Sequence, residues 1–74
     1  MEEIIQWFGG KSAFIRRMAL YSEQVSYKEV NDWIEADEIP AERGRIALII
    51  DSITKGKYPP NITCPQIFRD MHII

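Results

Sequence analysis

Two side chains that can hydrogen-bond to the edges of nucleic-acid bases, Lys28 and Asn31, lie three residues apart in this sequence. An ammonium group suits O6 and N7 of guanine, and a carboxamide suits N6 and N7 of adenine. Tyr27 and Glu29 adjoin Lys28 and are the other two candidates for contact with bases. Because side chains three and four positions apart share one side of a helix, this chemistry requires a helix that turns these residues outward.

The surrounding residues predict such a helix over residues 26–35. With Val30 as reference, Trp33 and Ile34 fall within about 60° of it around a helix and form a side that faces a core. Tyr27 flanks this apolar side at about the same angle. The opposite side carries four polar residues, namely Lys28, Asn31, Asp32 and Glu35. Ser26 and Glu29 have the spacing of a capping box, which predicts the start of the helix at Ser26.

Other segments must hold this helix in place. A short helix is predicted over Glu2 to Phe8 and ends at Gly9-Gly10, and a second is predicted from Ser12, as its cap, to about Leu20. The clearest helical pattern has Pro40 in its first turn and continues to Gly56. Its apolar side is formed by Ile46, Ile49, Ile50 and Ile53.

The remaining segment predicts a loop followed by one short helix. Residues 58–61, Tyr-Pro-Pro-Asn, predict a loop or an extended edge. Thr63 and Gln66 have the spacing of a second capping box, which predicts a last helix through Phe68 to Met71. These elements together predict an all-α domain of four or five helices over residues 1–74, with a short C-terminal extension.

Length and composition exclude several classes of protein. The 74 residues have room for one modest core, and a single cysteine allows no internal disulfide bond. With one cysteine and one histidine, no metal site is expected, and neither a cofactor nor a catalytic constellation is expected. Cys64 is interpreted as a partly buried structural thiol in preference to a reactive one. No apolar run is long enough to span a membrane, so a soluble intracellular protein is expected.

The charge is unevenly distributed along the chain. The formal net charge is −2, which disfavours phosphate binding as a whole. Residues 1–38 carry four basic and eight acidic side chains, whereas residues 39–74 carry five basic and three acidic ones. A positive surface could therefore be assembled from several segments. The candidates for contact with DNA phosphates are Lys11, Ser12, Ser26, Arg43 and Arg45.

Four motifs, in order, resemble the small phage Cro repressors and the YdaS-type prophage regulators. They are Phe8-Gly9-Gly10-Lys11-Ser12-Ala13, Val25-Ser26-x-x-x-Val30-x-x-Trp33-Ile34, Ile39-Pro40-Ala41-Glu42-Arg43 and the segment Ile62 to Asp70. The resemblance implies a lambda-repressor-like helix-turn-helix fold, often dimeric, that binds operator DNA and represses transcription. It implies that residues 26–35 are the recognition helix and that Arg43 contacts a phosphate.

The sequence departs from this pattern between the first two helices of the motif. The family's short turn is replaced by the longer stretch Leu20-Tyr21-Ser22-Glu23-Gln24. Either the two helices cross differently, or the earlier helix is extended by a turn.

The leading expectation is that a homodimer of this chain binds double-stranded operator DNA. No small-molecule substrate is expected. The apolar residues of the C-terminal region 57–74 are candidates to form the dimer. Two-fold symmetry then predicts a palindromic operator with half-sites one DNA turn apart. Two alternatives are open: a protein-interaction module that uses the acidic side of the helix, and an architectural or excision factor that binds DNA.

Overall fold

A computed structural model describes residues 1–68 of the chain. Among these residues there are six α-helices, one 3-10 helix and no strand. The helices are α1 Glu2–Trp7, α2 Lys11–Ala19, α3 Tyr27–Ala36, α4 Gly44–Ile53, α5 Pro60–Thr63 and α6 Pro65–Phe68, with the 3-10 helix Ala41–Arg43 before α4. The all-α prediction is confirmed, whereas the predicted number of four or five helices is too low.

The chain divides into two units, Met1–Asp37 and Glu38–Ile74, which are described separately below. The first contains α1 to α3, and the second contains the 3-10 helix and α4 to α6. The expectation of one domain over residues 1–74 stays a prediction.

Aromatic rings connect the three helices of the first unit. Phe14 of α2 is fully buried and meets Phe8 edge-on, with 5.2 Å between ring centroids. On its other side it meets Trp33 of α3 at 6.5 Å, again nearly perpendicular. Edge-to-face pairs of this kind add to the stabilisation from burial alone. Around them lie the other buried apolar residues of the unit, which are Met1, Ile4, Ile5, Met18, Val25 and Val30.

The turns of the first unit require unusual backbone conformations. Gly9 and Gly10 both have positive φ, at 102° and 112°, and they end α1 as predicted. After α2, the amide of Ser22 donates to Ala19 and the amide of Glu23 donates to Met18, while Ser22 has φ 65°. These are the two hydrogen bonds of a Schellman motif. The longer stretch after residue 19 thus forms a tight turn after α2 and does not extend it, because α2 ends at Ala19. A different crossing of the two helices stays a prediction.

A charged contact joins the two ends of the first unit. Asp37 follows α3 with φ 60°, and its carboxylate accepts a hydrogen bond from the α-ammonium group of Met1. This hydrogen bond and the positive charge of the ammonium group lower the pKa of Asp37 below its ordinary value of 3.8. Their combined effect exceeds the opposing effect of burial.

The second unit is built around α4. Ile46, Ile49 and Ile50 are buried as predicted, and Ile53 is half-buried. Pro40 does not lie in the first turn of α4, because it precedes the 3-10 helix and α4 begins only at Gly44. A Cβ atom at Gly44 would lie 2.9 Å from Cδ1 of Ile67, so α6 packs directly against the start of α4.

The prediction for residues 58–66 is wrong in three respects. Pro60 begins α5, because proline fits the first position of a helix, where its missing N–H is not needed. Pro65 then disfavours helical backbone at Cys64, which has φ −136° and ψ 68°, so the last helix, α6, begins only at Pro65. The second capping box is absent, since the Gln66 side chain donates to Glu38 at 2.9 Å instead. The predicted end of this helix at Met71 lies outside the described residues.

The segment before the 3-10 helix is fastened to the region between α5 and α6. The amide of Ile39 donates to the carbonyl of Thr63 at 2.7 Å, and the Cys64 thiol donates to the carbonyl of Pro40 at 3.7 Å. Cys64 is fully buried, and burial raises the pKa of its thiol. Cys64 is thus more deeply buried than expected, and its role as a structural thiol stays a prediction.

Two buried threonines of the second unit differ in hydrogen bonding and generate a matched prediction. Thr54 donates to Ile50 at 2.8 Å and accepts from the amide of Tyr58 at 3.3 Å, whereas the buried hydroxyl of Thr63 has no partner. We expect Thr63→Val to increase the free energy of unfolding by about 1 kcal/mol, and Thr54→Val to decrease it by about 1–3 kcal/mol. Urea denaturation followed by circular dichroism measures both. Equal losses in the two variants would contradict the assignment.

The pKa of Asp37 generates a prediction about acid. A carboxyl whose pKa is lower in the folded state contributes stability above its unfolded value of 3.8, and that contribution is lost as the pH falls through the folded value. We therefore expect the difference in unfolding free energy between wild type and Asp37→Asn to shrink as the pH falls below 3.8. Asparagine tolerates the positive φ, so the variant isolates the charge. A difference that is constant with pH would exclude the proposed ion pair as its cause.

Candidate nucleic-acid interface

The candidate interface is the exposed side of α3, and the beginning of this helix is fixed by a capping box. The Ser26 hydroxyl accepts from the amide of Glu29, and the Glu29 carboxylate accepts from the amide of Ser26, each at 3.1 Å. Both bonds confirm the predicted capping box. Ser26 is the cap and not a helical residue, so α3 runs from Tyr27 to Ala36, one residue later than predicted at each end.

Burial fixes the rotation of α3 about its axis. Val30 is fully buried and Trp33 is 4% exposed, as predicted, while Ile34 is only half-buried. Tyr27 was expected at the border of this apolar side, but it is 55% exposed. The apolar side is thus narrower than predicted, and Tyr27 belongs to the outer surface.

The outer side of α3 carries the expected polar residues. Lys28, Asn31, Asp32 and Glu35 are all exposed. The Lys28 ammonium group lies 3.1 Å from Oδ2 of Asp32, one helical turn later. Glu29, which was also a candidate for contact with bases, is half-buried and forms the cap described above. Three candidates for contact with bases are therefore exposed on the outer side and take no part in the cap, namely Tyr27, Lys28 and Asn31.

Two candidates for phosphate contact, Lys11 and Ser12, lie at the beginning of α2. The prediction that Ser12 caps this helix is wrong, because α2 begins at Lys11 and Gly10 occupies the cap position. Ser12 is instead the second helical residue, and its hydroxyl accepts from the guanidinium group of Arg16 at 2.9 Å. Lys11, Ser12 and Arg16 are all exposed. Ser26 accepts a hydrogen bond as a cap, but a hydroxyl can also donate to a phosphate oxygen.

The two other candidates for phosphate contact belong to the second unit. Arg43 is half-buried at the end of the 3-10 helix and occupies the position before α4. Arg45 is exposed near the start of α4. Their contact with DNA stays a prediction, as does the dimer. The C-terminal apolar residues contribute exposed surface at Ile62 and Ile67, while Met71, Ile73 and Ile74 lie outside the described residues.

The structure also shows two contacts that the sequence interpretation missed. These are the Lys28–Asp32 ion pair and the Arg16–Ser12 hydrogen bond, which both join residues four positions apart on one helix. The spacing of opposite charges on a predicted helix is a signal that could have identified the first. The Arg16–Ser12 hydrogen bond could be expected only if Ser12 lies inside α2, whereas the prediction placed Ser12 at the cap position before the helix.

Comparison with known proteins gives no relative for this chain. No protein-family model, curated protein or solved structure matches it. In the described part of the chain, no three potential metal ligands of the His, Cys, Asp or Glu type are grouped together. None of the helices over residues 1–68 has the length and apolar character needed to cross a membrane.

The cap of α3 generates a prediction about stability. Ser26→Ala removes the acceptor for the Glu29 amide and should lower the free energy of unfolding by about 1 kcal/mol. Ser12→Ala is the matched control, because this serine lies inside α2 on the exposed surface. We expect that control to change stability by less than about 0.5 kcal/mol. Chemical denaturation followed by circular dichroism compares the two, and similar losses would contradict the capping role.

Proposed function

We propose that this protein is a sequence-specific DNA-binding regulator of the helix-turn-helix type. In this proposal α2 and α3 form the motif, and α3 enters the major groove of duplex DNA. The observation that carries the proposal is the orientation of α3. A capping box and the burial of Val30 and Trp33 hold the helix so that Tyr27, Lys28 and Asn31 are turned outward from its beginning.

The position of these residues along α3 supports the same function. Recognition helices contact base edges mainly through residues near their N-terminal end, and Tyr27, Lys28 and Asn31 lie in the first half of α3. The beginning of a helix also carries partial positive charge, which favours its approach to DNA. Asp32 and Glu35 follow further along and must lie away from phosphates.

The resemblance to Cro and YdaS-type regulators supports a more specific form of the proposal. The protein would adopt a lambda-repressor-like fold and bind a palindromic operator as a homodimer in the bacterial cytoplasm, without catalysing a reaction. Lys11 and Ser12 on α2, Ser26 before α3, and Arg43 and Arg45 around the start of α4 would contact phosphates.

A second function is favoured by exposed acidic and apolar residues of the first unit. The outer side of α3 carries Asp32 and Glu35, and Leu20 after α2 is 78% exposed. Exposed acidic groups suit a basic protein partner, and an exposed apolar side chain can add to such an interface. Under this alternative the helical frame would be retained for protein interaction, and binding to duplex DNA would be weak at all ionic strengths.

Selection from a library of random duplexes, followed by a salt titration, tests the proposed function. We expect one sequence to be enriched, and its affinity to fall about 10³- to 10⁵-fold between roughly 50 and 200 mM salt if a dimer neutralises about 6–10 phosphates. Fluorescence anisotropy with labelled duplexes measures the affinities. If no sequence is enriched and no duplex binds at the lowest salt concentration, DNA recognition is excluded and the protein-interaction alternative is favoured.

The phosphate contacts are tested in the same titration. Arg45→Ala should weaken all duplexes alike and reduce the slope of log affinity against log salt by about 0.9 per lost contact, or about 1.8 for a dimer, and Arg43→Ala should do the same if it remains folded. Lys57→Ala removes an equal charge from an exposed site outside the proposed contacts and serves as the control. Equal slopes for Arg45→Ala and Lys57→Ala would remove Arg45 from the interface.

A further inference from the structure

The Lys28–Asp32 ion pair places a hydrogen-bond donor and an acceptor next to each other on the outer side of α3. Nζ of Lys28 and Oδ2 of Asp32 are 3.1 Å apart. Both side chains are well exposed, at 85% and 56%, so the two groups can be reached together by a partner. Lys28 is the second residue of α3, and Asp32 lies one turn further along the same side.

The edge of a G·C base pair in the major groove presents a complementary pair of groups. Guanine offers the acceptors N7 and O6, and cytosine offers the N4 amino donor. O6 and N4 are hydrogen-bonded to each other within the base pair, at the usual N–H···O distance of about 2.9 Å. The order and the spacing of these groups match an ammonium group that donates to guanine beside a carboxylate that accepts from cytosine.

An A·T base pair matches the same two side chains less well. Its only donor in the major groove, adenine N6, lies between two acceptors, adenine N7 and thymine O4. A carboxylate that accepts from N6 would therefore lie beside two acceptors, and the ammonium group could donate to only one of them. The other acceptor would repel the carboxylate. On a G·C pair the ammonium group reaches both acceptors, and no acceptor lies beyond cytosine N4. Discrimination thus comes from both charges and not from Lys28 alone.

The ion pair also reduces the electrostatic cost of bringing Asp32 near DNA. A lone carboxylate would be repelled by phosphates and by base acceptors, whereas the pair with Lys28 has no net charge. An exposed pair of this type contributes little to folding stability, so its side chains can reorient toward a base pair at small cost. This arrangement lets a helix with acidic residues approach the groove.

From this geometry we infer that Lys28 and Asp32 of one subunit together recognise one G·C base pair of the target DNA, with Lys28 donating to guanine O6 and N7 and Asp32 accepting from cytosine N4. The inference rests on the proposed function and specifies its target. It assigns to Asp32 a direct part in sequence recognition.

The test uses the full chain and a labelled duplex that carries the sequence enriched by selection. Each base pair of this duplex is changed in turn, and affinities are measured for wild type, Lys28→Ala, Asp32→Ala and the double variant. Glu35→Ala is the matched control, because it also removes one exposed negative charge from α3. Circular dichroism confirms that the variants are folded, as is expected for exposed helical positions that receive alanine.

We expect wild type to lose about 5- to 150-fold in affinity when one particular G·C pair is changed to A·T. Lys28→Ala and Asp32→Ala should each lose most of this discrimination, at that same base pair, and the double variant should lose little more than either alone. Glu35→Ala should keep the discrimination and raise the affinity for all duplexes by a similar factor.

Other outcomes overturn the inference in distinguishable ways. If a sequence is enriched but Asp32→Ala behaves like Glu35→Ala, Asp32 acts only through its charge and the inference is wrong while DNA recognition stands. The inference is equally wrong if the two variants affect different base pairs. If no duplex is enriched or bound, the proposed function is wrong, and the inference is overturned with it.

Discussion

The packing of Phe14 between Phe8 and Trp33 determines which side of α3 meets solvent. Phe14 is fully buried, and its ring meets both neighbours nearly at right angles. An edge-to-face contact constrains the direction as well as the distance of a ring. Because Trp33 is held in this way, the residues on the other side of α3 are turned outward. The candidate interface therefore depends on an aromatic cluster that contains none of its residues.

The interface itself combines strong and weak constraints. The backbone of α3 is fixed at its beginning by two reciprocal hydrogen bonds and along its length by buried side chains. The polar groups on the outer side are instead joined by a single exposed ion pair, which is a weak interaction. A rigid helix that carries adaptable side chains suits recognition, because the position is set in advance while the hydrogen-bonding groups can adjust to the partner.

The sequence predicted α3 well because several local signals agree there. The capping box, the apolar spacing of Val30 and Trp33 and the polar residues between them all indicate the same helix, and the structure confirms it. The segment from Tyr58 to Gln66 was predicted poorly because its prolines and its Thr63–Gln66 spacing are each compatible with more than one local structure. A proline can interrupt a helix or begin one, and Thr63 and Gln66 have the spacing of a capping box without forming it. Which of these structures forms depends on packing against residues 38–44, which are distant in sequence from this segment.

The position of the single cysteine in the second unit allows the opening of that unit to be measured by itself. Cys64 is the single cysteine of the sequence, it is fully buried, and its thiol is bonded to the carbonyl of Pro40. Because Cys64 is fully buried, a thiol reagent can reach it only when the structure around it opens. The rate of labelling of the unmodified protein would then measure local opening of that unit alone, since the first unit has no cysteine to react. A comparison of labelling with global unfolding would show whether the two units unfold as one.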